Sequence, residues 1–264
     1  MITARSARRA SEMSPRRNAR IAGLLYLFII VAGAFAQAYV RQGLVVPGDA
    51  AATGANLVAN EQLYRWGFVA DLLPLLCNVI LAVLFYRLFS VVNRSVAALA
   101  VLFSLIGTAI QATVLVFHIA PMLVLTGGPA LGALTEQQVQ ALAYLSLKVQ
   151  ADGYSIALVF FGCFGLSLGY LIARSTFMPR IIGVLMAIAG FCYFANSLVS
   201  LVAPSLASVL FLLPALVGEA SLTLWLLFKG VDPARWESQA ASAEMGGAYS
   251  DPAGERGPIP AGSM

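Results

Sequence analysis

Long apolar runs separated by short polar links dominate the chain. Six of them, at residues 21–40, 66–89, 96–125, 154–173, 181–203 and 206–228, each supply the roughly 20 residues that an α-helix needs to cross a hydrocarbon core about 30 Å thick. The pattern predicts an all-α fold, a six-helix transmembrane bundle flanked by a basic tail (residues 1–19) and a disordered tail (residues 232–264) around a membrane domain (residues 20–231). The second tail is read as disordered from its Gly, Pro, Ser and Ala content.

Two links on one side of the bundle are long enough to hold external interfacial helices. In the first, Val46-Pro47-Gly48-Asp49 reads as a turn ending in an N-cap at Asp49, followed by a helix-compatible stretch at 50–60. Glu61 and Arg65 then stand four apart, in the order that favours a helix ion pair. In the second, Thr135-Glu136-Gln137-Gln138 spells a capping box. The helix that it opens can run unbroken to Ala173, longer than a bilayer requires, and is expected to project outward or to bend near Gly153.

Composition agrees with the pattern: 60% of residues are hydrophobic and 11% charged, with a mean hydropathy of +0.85, which excludes an ordinary soluble domain. The net charge of +4 does not point to nucleic acid, because the basic residues sit at helix ends rather than in a stripe with aromatics. They are instead asymmetric across the bundle. One side holds thirteen, including Arg16, Arg17, Arg87, Arg94, Arg174, Arg180 and Lys229, and the other only Arg41, Arg65 and Lys148. Basic links are retained inside, so both termini are expected in the cytoplasm. Fourteen of the sixteen basic residues are Arg, which with the abundant Ala leads to the expectation of a bacterial cytoplasmic membrane. Ala34-Phe35-Ala36 has the small-x-small form of a signal-peptide cleavage site. The long basic region before it and the apolar run continuing to Val40 favour a retained first helix.

Polar side chains inside a bilayer are costly, so their depths carry information. Counted from the basic end of each helix at about 1.5 Å per residue, Gln37, Asp71, Gln111 and Asn196 all lie about 24 to 25 Å in, with Asp152 slightly further out. These five residues are expected to line one polar pocket open to the outside, against the alternative that they are hydrogen-bond links between helices. Glu219 falls near the midplane, about 15 Å from Lys229, with Asn78 at the same depth. An acid there needs either its proton or a donor such as Asn78, and serves as a proton or cation site or as a structural lock.

Catalytic readings fail on the same depth scale. Gly165-Leu166-Ser167-Leu168-Gly169 matches a serine-hydrolase pattern, yet His118, the single histidine, lies about 25 Å from Ser167. The glycines at 165 and 169 read instead as a GxxxG packing face. Cys77, Cys163 and Cys192 share a depth but lack CxxC spacing and a nearby histidine, so they read as apolar fillers rather than metal ligands. No cofactor signature is present, since one histidine cannot supply paired haem ligands.

Several local strings carry a resemblance. Arg20-Ile21-Ala22-Gly23-Leu24-Leu25-Tyr26, Val45-Val46-Pro47-Gly48-Asp49, Gly67-Phe68-Val69-Ala70-Asp71-Leu72-Leu73, Gly169-Tyr170-Leu171, Pro179-Arg180 and Gly218-Glu219 resemble the bacterial membrane family catalogued as domain of unknown function 4386, over residues 18–232. The resemblance implies a multi-pass membrane protein and lends no activity. Members of that family often carry His where this chain has Gln150, so a function resting on that His is not carried over.

Three classes stay open. The first is a small-molecule or proton-coupled transporter or ligand-binding membrane protein, the second an accessory subunit with a membrane-protein partner or a second copy of the chain, and the third a membrane-embedded enzyme on lipid. The outer polar layer and Glu219 favour the first.

Overall fold

The computed structural model describes residues 14–127, 132–206 and 209–249, all of them helical or in links between helices. Helix α1, Pro15–Phe35, opens with Pro15 in its first turn and the Ser14 hydroxyl accepting from the Arg17 N–H at 3.3 Å. It therefore begins earlier than the expected end of the basic tail at residue 19, and Arg16 and Arg17 are helical. At its far end α1 widens into a π-helical turn, Ala36–Arg41, and closes with Gln42–Leu44.

The first external link forms as its caps dictate. Gly48, at φ 81°, makes the turn that a side chain would strain, and Asp49 accepts from the Ala52 N–H at 2.8 Å to start α2, Ala50–Ala59. Helix α3, Glu61–Phe89, carries the Glu61–Arg65 ion pair in its first turn. Helices α4, Arg94–Val114, and α5, Val116–Thr126, take the place of one continuous helix. Pro121 lies inside α5; its ring crowds the carbonyl four residues back, and the ladder tightens to a three-residue bond from the His118 N–H to the Leu115 carbonyl just before it.

Helix α6, Glu136–Arg174, is capped by the complete Thr135/Gln138 box and runs 39 residues. The second external helix is thus the outer end of a membrane helix rather than a separate element. Helix α7, Arg180–Val202, follows the N-cap residue Pro179. Helix α8, Leu213–Phe228, begins seven residues later than the apolar run at 206–228 suggests, because Pro214 sits in its first turn and Val209–Leu212 is a 3-10 turn. Pro214 therefore starts this helix.

Five stretches are long and apolar enough to span a membrane, Pro15–Leu44, Glu61–Phe89, Arg94–Thr126, Glu136–Arg174 and Arg180–Val202, and α8, 16 residues long, makes a sixth only when joined across a bend to Pro233–Met245. Large apolar side chains such as Leu24, Val31, Ile80, Leu102, Leu123 and Ile181 point outward, an exposed apolar surface that suits lipid. The molecule is a multi-pass helical membrane bundle.

Residues 233–249, expected as disordered tail, instead form helix α9, Pro233–Tyr249. Gly230, at φ 69°, ends α8, and α9 leaves at 105° to it. Helix α9 lies against the arginine-rich end: the Trp236 Nε1–H donates to the Leu88 carbonyl at 2.9 Å, and Gln239 Oε1 accepts from both the N–H and the hydroxyl of Thr176 at 2.9 Å. Composition misses this helix because its docking rests on a few side chains, Trp236, Gln239 and Arg235. The remaining parts of the two expected tails lie outside the described residues.

The main core fills the arginine-rich half, with Phe85, Leu88, Phe89, Leu171, Ile172 and Leu226 almost fully buried. Helices α6 and α7 meet there backbone to backbone. A Cβ on Gly165 would stand 2.8 Å from Gly190 Cα, and one on Gly169 would stand 2.6 Å from the Ala187 nitrogen, so the GxxxG face is a packing seam. A smaller cluster, with Val40, Leu57, Tyr64 and Met122, lies at the other end.

Candidate functional site

Polar chemistry gathers in the arginine-poor half, around the π-helical turn of α1. Gln37 and Arg41 lie in that turn, a widened geometry that recurs at functional sites, and the Arg41 Nε–H donates to Gln37 Oε1 at 2.8 Å. Arg41 Nη1 reaches both oxygens of Asp71 on α3, at 2.8 and 3.1 Å. The pair is largely shielded, with the two side chains 27% and 15% exposed. The Arg41 guanidinium also stands over the ring of Tyr154 on α6, 5.6 Å from its centroid, a cation–π contact.

Behind this pair, Tyr64 and His118 lock α3 to α5. The Tyr64 hydroxyl donates to the His118 carbonyl at 2.6 Å, His118 Nε2 lies 3.2 Å from the Tyr64 carbonyl, and the two rings stack with centroids 4.3 Å apart. A carbonyl only accepts, so Nε2 bears the hydrogen and Nδ1 is free to accept from Gln150 Nε2 at 3.3 Å. The neutral ring satisfies every one of these contacts. Asp71 Oδ2 stands 3.6 Å from Nδ1, beyond hydrogen-bond reach.

Two cavities adjoin the cluster. The outer one, about 450 Å³, has Gln37, Arg41, Tyr144, Lys148, Gln150 and Tyr154 on its wall. The deeper one, about 350 Å³, is walled by Gln37, Asn78, Gln111, Tyr154, Tyr193 and Glu219 together with apolar and aromatic side chains. Gln37 and Tyr154 belong to both, so the Arg41 contacts lie where the two chambers meet.

Glu219 sits on the deep wall because two glycines let helices approach. A Cβ on Gly218 would lie 2.5 Å from the Leu185 carbonyl oxygen, and one on Gly23 would lie 2.9 Å from Leu227. These close approaches bring α8 against α7 and α1. The hydroxyls of Tyr26, one turn beyond Gly23, and Tyr193 then donate to Glu219 Oε1 and Oε2 at 3.1 and 3.0 Å. Each carboxylate oxygen has a phenol donor, and the group needs no Lys or Arg to be satisfied.

The partner expected from depth alone is therefore wrong. Asn78 donates from Nδ2 to Ser104 Oγ at 3.0 Å and Thr108 Oγ1 at 2.6 Å, both on α4. It lines the same chamber as Glu219 but ties α3 to α4. Of the five residues placed in one polar layer, Gln37 and Gln111 line the deep chamber, and Asp71 reaches the chambers through Arg41. Asp152 is exposed, because two residues along a helix from Gln150 is a rotation of about 200°. Asn196 is on neither wall, and its Oδ1 is buried without a hydrogen-bond partner.

Arg41, Tyr26, Tyr154 and Tyr193 were not legible as site residues. Arg41 reads in sequence as a topology charge, although a lone Arg four residues after Gln37 is also a signal for a buried partner. The Ser167 hydroxyl donates to the Cys163 carbonyl at 2.8 Å, within its own helix.

Neither curated proteins nor solved structures give a match to this chain. The sequence model described as domain of unknown function (DUF4386) matches residues 21–230, most of the chain, and the protein belongs to that family.

Proposed function

We propose that this protein binds a small molecule inside the bundle and passes it across a bacterial cytoplasmic membrane, with both termini cytoplasmic and the outer chamber open to the external side. The observation that supports it is the succession of two chambers sharing Gln37 and Tyr154 and leading to the Glu219 carboxylate. Sites of about 300 to 1,000 Å³ that are mostly apolar with a few fixed polar groups suit small ligands. In this reading the contacts of Arg41 with Asp71, Gln37 and Tyr154 form a thin gate between the chambers, held by polar contacts rather than by a packed wall. In this reading its partners are the lipid bilayer and the ligand. The thirteen-to-three split of basic residues supports the orientation.

Thiol labelling tests the proposal. In a variant lacking Cys77, Cys163 and Cys192, Gln37→Cys and Gln111→Cys are exposed to a membrane-impermeant methanethiosulfonate added from outside. Gln37→Cys is expected to react readily and Gln111→Cys more slowly, with Arg41→Gln speeding the latter. Full protection of both positions contradicts an externally open route. Reporter fusions after Val92, Gly127, Thr176 and Gly230 are expected to read inside, outside, inside and inside, and an external signal at Gly230 contradicts the orientation.

A further inference from the structure

The two chambers differ in the charge they present. Arg41 and Lys148 line the outer one, and Arg41 is matched by Asp71. Among the described residues lining the deep chamber there is no Lys, Arg or His, and Glu219 is the one carboxylate. Around it stand aromatic rings, Tyr26, Tyr154, Phe161, Phe164 and Tyr193, and otherwise neutral amides and aliphatic side chains.

We infer that the deep chamber is a binding site for a small organic cation with an apolar body, its positive head against Glu219 and the tyrosines. This rests on the reading of the chambers as a ligand route and adds the class of ligand. A carboxylate offers about four acceptor positions, and the two phenols occupy one on each oxygen, so each oxygen retains a position for a cationic head. Aromatic faces attract the same head through their ring quadrupoles, an attraction that strengthens when water is excluded. An anion gains nothing here, since no donor of positive charge lines the wall. A neutral molecule would leave the carboxylate without a counter-charge. The chamber's about 350 Å³ accommodates an ammonium group joined to one aromatic ring.

The test uses the full chain in lipid nanodiscs, with isothermal titration calorimetry corrected for partition into empty nanodiscs. The probes are benzyltrimethylammonium, its neutral carbon analogue neopentylbenzene, and benzenesulfonate. The cation is expected to bind at least about tenfold tighter than the neutral analogue, as charge and cation–π terms of ordinary size imply, with the sulfonate weakest. Glu219→Gln, which keeps the shape and one phenol-accepting oxygen while its NH2 turns the other phenol from donor to acceptor, is expected to erase the preference. Comparison of probes on the unmodified chain needs no variant to fold. Equal or tighter binding of the neutral probe or the sulfonate overturns this inference while leaving a ligand-binding chamber. A preference for the cation that survives Glu219→Gln overturns the assignment to this site. Absence of binding by all three overturns both the inference and the functional reading beneath it.

Discussion

The arginine-rich and arginine-poor halves of the bundle are built by opposite means. In the first, helices close until backbones touch, as at Gly165, Gly169, Gly183 and Gly190, and a continuous apolar core follows. In the second, the helices are held apart by polar side chains that bond across the gaps, Arg41 to Asp71, Tyr64 to His118 and Gln150 to His118, and chambers remain between them. Lipid tails are as apolar as leucine, so association in a membrane relies on close packing or on hydrogen bonds rather than on the hydrophobic effect. Packing dominates at one end of this protein and hydrogen bonds at the other; the outer chamber lies in the second, and the deep chamber reaches the packed core at Tyr26, Phe164 and Met186.

The largest test of that contrast is to crowd the packed seam. A Cβ on Gly190 would lie 2.5 Å from the Leu166 nitrogen, backbone that cannot yield, so Gly190→Val is expected to cost more than about 3 kcal/mol and to abolish the monodisperse folded species in size-exclusion chromatography. Gly33 provides the opposite case, since a Cβ there meets nothing within 4 Å. Gly33→Ala is expected to be neutral or stabilising by up to about 1 kcal/mol, read as an unchanged or raised melting temperature in detergent. Equal damage at both positions would erase the distinction between the halves.

The polar half should respond to pairing rather than to volume. Asp71→Leu leaves Arg41 without its carboxylate partner and is expected to destabilise by about 2 kcal/mol, whereas Arg41→Met combined with Asp71→Leu, which removes both charges, should cost less than Arg41→Met or Asp71→Leu alone. Thermal or denaturant melting of the four proteins measures the coupling, and simple additivity would mean that the ion pair does not hold the chambers' wall. A smaller effect belongs to the docked C-terminal helix. Trp236→Phe removes the Nε1–H that meets the Leu88 carbonyl and should cost about 1 kcal/mol, seen as faster proteolysis within α9 at unchanged ligand-route accessibility.

What the sequence reveals follows the same division. The apolar runs, the Asp49 cap, the Thr135 box, the Glu61–Arg65 pair and the glycine seam rest on local spacing, and local spacing is legible. Depth along a helix can be counted from sequence too, and Gln37 and Gln111, placed at one depth by that count, line the deep chamber. Rotation about the helix axis is not, because it depends on which neighbours pack where; Asp152 and Gln150 differ little in depth, yet one faces out and the other meets His118. Partnership across helices is equally hidden, so Asn78 is matched in depth to Glu219 while its bonds go to Ser104 and Thr108. The tyrosines that hold Glu219 read in sequence as ordinary apolar lining. The start of α8 is set by Pro214, which hydropathy alone does not mark.

The central claim is that the two chambers are open to small molecules, water included, and that the packed core beyond them is closed. X-ray radiolytic footprinting of the unmodified chain tests it most directly, because hydroxyl radicals made from resident water modify side chains beside that water. The account predicts modification of Tyr154 and Tyr193, on the chamber walls, with Phe89 and Phe177, which pack at 5.8 Å between ring centroids in the core, left unmodified. Protection of Tyr154 and Tyr193 to the same degree as Phe89 and Phe177 would contradict it.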